Sequence, residues 1–192
     1  MRRRMIPLIA FILLPACYTP ASAQTEVTCK PQRPTANRSS PYDSAVIMVN
    51  GQRALICYGR PSARGRTMIG GTAVPYGKLW RTGANEPTTL HIPFAATVAG
   101  VKVEPGSYSI YTIPGEKEWH VIVNRSTSQW GHEGRYTAEV KAQEVGHATV
   151  QSTQLKDHVE MFTIKSAPAQ GGADLVLEWE KTRVAIPIRA VK

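Results

Sequence analysis

Ala45-Val46-Ile47-Met48-Val49, then Asn50-Gly51, then Arg53-Ala54-Leu55-Ile56-Cys57-Tyr58, is the stretch that decides the fold. Two apolar runs flank a dipeptide suited to a type I′ turn, which needs positive φ at both central residues. The reading is a β-hairpin. Outward from it the same punctuation repeats. Thr88 to Ile92 is rich in β-formers, and Val101-Lys102-Val103 precedes the turn Glu104-Pro105-Gly106-Ser107. Tyr108 to Ile113 follows, and Pro114-Gly115-Glu116-Lys117 turns the chain into Trp119-His120-Val121-Ile122-Val123. Alternation there puts Trp119, Val121 and Val123 on one face, His120 and Ile122 on the other. Val159 to Ile164, Leu175 to Trp179 and Arg183 to Ile188 complete the series. Pro187 cannot donate to a ladder and marks an edge strand or a strand end. No segment carries a capped helical stripe. About nine short strands separated by turns predict an all-β fold, an antiparallel β-sandwich or a flattened barrel.

The N-terminus reads as an export signal. Arg2, Arg3 and Arg4 precede an uncharged apolar stretch, Ile6 to Ala16, too short for the roughly 20 residues of a membrane-spanning helix. Two cleavage points compete. Ala21-Ser22-Ala23 would release a soluble chain beginning at Gln24, giving a signal peptide of residues 1–23. Leu14-Pro15-Ala16-Cys17 resembles a lipobox and would leave a lipid anchor on Cys17. Either cut leaves Cys29 and Cys57 as an unmodified pair, which in an oxidising compartment invites a disulfide. The alternative is a buried Cys57 and a free Cys29 thiol. Removing residues 1–23 takes away three arginines and no acid, so the formal charge falls from +9 to +6. An exported chain without a helix-turn-helix, zinc finger or aromatic-basic stacking pattern is not expected to bind nucleic acid. Residues 24–41, with three prolines among polar residues, read as an extended or poorly ordered leader, and 42–192 as one β-sandwich domain.

Residues 59–87 are the exception to the strand pattern. Between Ser44 and Asn85 the chain holds six arginines and lysines and no acidic residue. Arg60, Arg64, Arg66 and Arg81 offer planar forks suited to carboxylate or phosphate, set among glycines and prolines. Long loops of this kind usually bind something or are disordered, and Val74, Tyr76, Leu79 and Trp80 argue for order. Two readings compete: an oxyanion-binding mouth, or arginines that cap loop carbonyls and stack on aromatics. Glu86, after Asn85, is the one catalytic candidate, as a general base. An Arg81–Glu86 brace is the structural counterpart, and an adjacent arginine should lower the carboxyl pKa. Trp130, after a polar turn, reads as core or as a stacking surface at a cleft rim. His91, His120, His132, His147 and His158 show no metal-ligand spacing, so no metal and no cofactor are expected.

Tyr58-Gly59-Arg60-Pro61-Ser62, Arg64-Gly65-Arg66, Val74-Pro75-Tyr76-Gly77 and Trp80-Arg81-Thr82-Gly83-Ala84-Asn85-Glu86 together resemble the bacterial family catalogued as domain of unknown function 2911. The likeness continues through Pro105 to Glu116, Trp119, Trp130-Gly131 and Leu177 to Thr182, over roughly residues 40–188. It implies an exported all-β envelope protein and brings no activity with it.

The expectation is therefore a periplasmic binding module for an anionic small molecule or glycan. Its ligand would meet Arg60, Arg64, Arg66, Tyr76, Trp80, Arg81, Asn85 and Glu86. Two alternatives stay open: a hydrolase using Glu86 with arginines stabilising developing charge, and a structural envelope protein with the arginine loop as a fastener.

Overall fold

The hairpin forms as its sequence dictates. A computed structural model describes residues 27–191, so the stretch read as an export signal, residues 1–23, and Cys17 within it lie outside the described residues. Strand β1 (Tyr42–Val49) pairs antiparallel with β2 (Gln52–Gly59), in register from Tyr42↔Gly59 to Val49↔Gln52. Asn50 and Gly51 have φ of 49° and 79°, the positive pair that a type I′ turn requires.

The remaining strands are β3 (Thr88–Ile92), β4 (Ala96–Val98), β5 (Val101–Val103), β6 (Gly106–Ile113), β7 (Glu118–Asn124), β8 (Glu144–Ala169) and β9 (Gly172–Ala190). Neighbouring strands all pair antiparallel, in the spatial order β1-β2-β3-β6-β7-β8-β9-β4-β5. β1 and β5 end the ladder, so it does not close, and the sandwich rather than the barrel is the architecture. β1 lies against β8 and β9 without being their ladder neighbour, which is how the curled ladder forms two layers. The only α-helix among the described residues is the short α1 (Ala138–Lys141), N-capped by the Thr137 hydroxyl.

β8 serves both layers. Residues Glu144 to Gln151 pair with β7, and from Ser152 the strand pairs with β9. The β8–β9 register then breaks between Gln154 and Val159 and again before Thr163, with Glu180 at φ 53° on the facing strand. Such irregularities bend a strand and re-aim its side chains. Pro187 falls beyond the last β8 pairing at Ser152↔Val184, where its carbonyl accepts from the Ala99 amide.

Inward-facing residues of both layers make one core. Trp80 stands at the centre of its aromatic part, stacked on Trp179 at 5.9 Å and edge-on to Trp119 and Phe162. Trp119, Val121 and Val123 are fully buried together, as the alternation predicted.

Candidate functional site

The 59–87 loop is held by the core at its middle. Trp80 and Thr112 exchange backbone hydrogen bonds of 2.7 and 2.9 Å, and the Trp80 indole donates to the Gly83 carbonyl at 3.1 Å. Trp80 is only 4% exposed, so its ring packs the core and offers no face to a ligand. At the loop's root, Gly59 meets the returning Ala84 carbonyl so closely that a Cβ would lie 2.0 Å from its oxygen.

The arginines fasten this loop. The Arg60 guanidinium reaches Asp43 on β1 at 2.9 Å, the Phe162 carbonyl at 3.2 Å and the Thr163 hydroxyl at 3.0 Å. Arg64 donates to the Ser39 carbonyl, and its own amide is held by Glu160 at 2.7 Å. Arg66 donates back to the Ala63 and Ser62 carbonyls. Arg81 donates through Nη1 alone to both Glu133 oxygens at 3.0 Å and to the Gly131 carbonyl at 3.3 Å, while its Nε is buried without a partner. These forks share no hollow. The expected Arg81–Glu86 brace is replaced by two separate pairs, because each side chain finds a partner distant in sequence.

Glu86 is the anchor of the leader. Only 3% exposed, it accepts the Arg38 fork at 2.7 and 2.8 Å and the Gln32 amide at 2.9 Å. Burial alone would raise its carboxyl, but the Arg38 fork and the Gln32 amide outweigh that and hold it below the ordinary 4.5. A carboxylate so held is a permanent anion, poorly placed to carry protons. Burial, seconded by the Glu86 charge, pushes the neighbouring Tyr42 phenol up to about 12. Around this pair the rest of the leader is gripped. Asn85 donates to the Ser40 carbonyl, the Gln32 amide side chain donates to the Thr127 and Gln129 carbonyls, and the Arg33 guanidinium lies 3.9 Å from the Trp130 ring centre. Cys29 and Cys57 form a disulfide that ties the leader to β2. Closing a loop of that length stabilises by about 3.5 kcal/mol in the chain-entropy account. Gly131 completes the seat: a Cβ there would stand 2.2 Å from the Asn85 carbonyl oxygen and 2.5 Å from Arg81 Cδ.

An open cleft of about 450 Å³ lies elsewhere on the loop. It forms where the β8–β9 ladder breaks, between Gln154, His158 and the 180–182 stretch on one side and Thr67, Ile69 and Tyr76 on the other, with Lys117 from the β6–β7 turn. Glu180 fixes its floor by accepting the amides of Met68 and Ile69 at 3.0 and 2.8 Å. Tyr76, 42% exposed, lies across Gly70, where a Cβ would come within 2.6 Å of the ring. Among the expected ligand contacts, Tyr76 alone lines this cleft; Asn85 and Glu86 gather under the leader, and Arg60, Arg64, Arg66 and Arg81 sit in braces of their own. Sequence reasoning missed all of Gln154, Glu180 and Thr182 as site residues, although Glu180 and Thr182 stand in the Leu177 to Thr182 stretch of the family likeness; for Gln154 the signal available was the polar stretch before Val159. Among the described residues no group of three or more His, Cys, Asp or Glu is placed to hold a metal ion, and no helix is long and apolar enough to cross a membrane.

A family model described as protein of unknown function (DUF2911) matches residues 40–188. No curated protein and no solved structure matches the chain. With all of the paired strands but the last residues of β9 inside the matched span, the chain belongs to the DUF2911 family.

Proposed function

We propose that this is an exported envelope protein that binds a glycan fragment in the cleft beside Tyr76, with the arginine loop as its frame. The observation that carries the reading is the lining of that cleft. Thr67, Ser152, Thr153, Gln154 and Thr182 bring hydroxyl and amide groups around the exposed Tyr76 ring. A polyhydroxylated ring needs both parts: convergent polar atoms for its hydroxyls and an amphipathic aromatic for its apolar face. The charges on the lining balance, Lys117 and Lys181 against Glu116 and Glu180, which suits an uncharged sugar. The arginines act one step back. By closing the loop on its own carbonyls and on β1 and β8, they hold the 67–76 segment in place before a ligand arrives, which lowers the ordering cost of binding.

The test is a titration of N-acetylglucosamine oligomers and cell-wall glycan strands, followed by calorimetry and by the Tyr76 ring resonances. Wild type should bind one of them saturably, and Tyr76→Ala should weaken that binding at least tenfold. Arg64→Ala, which loosens only the frame, should weaken it by about threefold or less. Failure of every saccharide to move the Tyr76 resonances would end the reading.

A further inference from the structure

The leader, residues 27–41, is attached differently from everything else in the molecule. It forms no strand pairing with the body, and none of its residues is buried. Its hold consists of one disulfide, one backbone bond at its very end, where the Pro41 carbonyl accepts the Arg60 amide at 2.8 Å, and otherwise polar contacts to side chains and carbonyls of the body. Arg38 enters Glu86; Arg33 covers Trp130; Gln32 bridges Glu86, Thr127 and Gln129; the Ser39 and Ser40 carbonyls receive Arg64 and Asn85. This is how a peptide is recognised by a groove: two guanidinium seats, one a buried carboxylate taken bidentately and one an indole face, with carbonyl acceptors between them.

Three further observations separate occupant from seat. The leader presents Arg38 from its own tight turn, closed by the Arg38 amide on the Thr35 carbonyl, and the guanidinium also bonds the Pro34 and Arg33 carbonyls. The arginine is therefore organised by the leader rather than by the body. A hollow of about 180 Å³ remains between leader and sheet, lined by Lys30, Gln32, Tyr42, Glu86, Thr89 and His91, so the leader does not fill the surface it lies on. And the family match begins at residue 40: Glu86, Trp130 and Asn85 belong to the matched span, whereas Arg33, Arg38 and Gln32 do not.

We propose that the surface bearing Glu86, Trp130, Thr127 and Asn85 is a docking groove for an arginine-bearing peptide turn of a partner protein, and that residues 32–40 are its resident occupant in cis. The ligand chemistry is the reverse of the oxyanion that the arginine-rich sequence suggested, because the groove's one buried charge is negative. The Cys29–Cys57 bond keeps the leader at high local concentration, so a partner competes only when its own turn matches the seats better or when the tether is absent. This site is separate from the Tyr76 cleft and does not depend on glycan binding there.

The probe is a synthetic peptide with the sequence of residues 31–41, titrated into the full-length mature chain carrying Cys29→Ser, Cys57→Ala and Arg38→Ala. That chain keeps the seats but loses the tether and the competing guanidinium. Saturable binding is expected, weakened at least tenfold when Glu86→Gln is added and at least tenfold when the peptide has alanine in place of its second arginine. The tethered wild type should take up none. Equal binding with Glu86→Gln, or no binding to the folded triple variant, overturns the proposal. Should that variant not fold, native-state hydrogen exchange on wild type decides. The Gln32 amide should exchange at least tenfold faster than the Ile56 and Leu90 amides, by lifting of the leader alone; exchange at the same rate would make the leader an integral part of the fold and defeat the idea.

Discussion

Glu86 and Glu180 both hold irregular chain against the strands, in contrasting surroundings. Glu86 is buried and neutralised by a bidentate arginine, with a third donor from the Gln32 amide. Glu180 is half-buried and accepts two backbone amides, those of Met68 and Ile69. Around Glu86 the leader covers the sheet and leaves a hollow of about 180 Å³, whereas beside Glu180 an open cleft of about 450 Å³ remains. The difference lies in what each carboxylate organises: a side chain delivered from outside the sandwich in one case, the chain's own loop in the other. A buried ion pair is intolerant of losing one member, whereas a carboxylate on part-buried amides beside an open cleft leaves water to take its place.

That contrast can be broken by mutation. With the disulfide intact, Glu86→Ala strands the Arg38 guanidinium and should cost about 3 kcal/mol in urea unfolding. Glu180→Ala should cost about 1.5 kcal/mol, the value of hydrogen bonds to a charged acceptor that solvent can partly replace. Equal losses would erase the distinction. Acid sharpens it. Because the folded Glu86 carboxyl titrates below its ordinary 4.5, its contribution is complete above that pH and disappears as pH falls through the folded value. Thermal melts from pH 6 to pH 2.5 should therefore show wild type losing stability at the acid end more steeply than Glu86→Gln; parallel profiles would count against the pairing. Gly70→Ala acts on the open side. Gly70 has φ of +78° and lies under the Tyr76 ring, so the substitution should cost about 1 kcal/mol, lift the ring and weaken glycan binding. The smallest effect belongs to the exposed fasteners: Arg66→Ala should change stability by about 0.5 kcal/mol or less, and a larger loss would show that its two carbonyl contacts carry the loop.

How far the sequence could be read differs along the same line. The hairpin at Asn50-Gly51 was legible because its determinants are adjacent residues, and the Trp119 to Val123 alternation because a sheet face repeats every second residue. The first half of β8 was not. Its Gly146-His147-Ala148-Thr149-Val150-Gln151-Ser152-Thr153 run alternates half-buried with exposed residues, but the inner set of Gly146, Ala148, Val150 and Ser152 is too small and polar to read as a core face. β4, at three residues, is too short to show any period. In the loop, residue type was informative and partnership was not. Arg81 and Glu86 look like a pair because they are neighbours in the chain, yet the partner of Glu86 lies 48 residues upstream and that of Arg81 lies 52 downstream. The leader's prolines and polar residues suggested weak order, whereas its anchoring depends on Arg33, Arg38 and Cys29 meeting surfaces assembled only in the folded chain.

The dual service of β8 limits where this protein can change its length. Gln151 pairs toward β7 and Ser152 toward β9, so one inserted or deleted residue before that junction would turn every following side chain to the wrong face. Within β8 the 155–158 segment, the longer of its two stretches out of register, can best absorb such a change without disturbing either layer. His158 there borders the hollow beside Tyr76. Diversification by insertion is thereby channelled to the rim of one cavity, leaving the scaffold on both sides untouched.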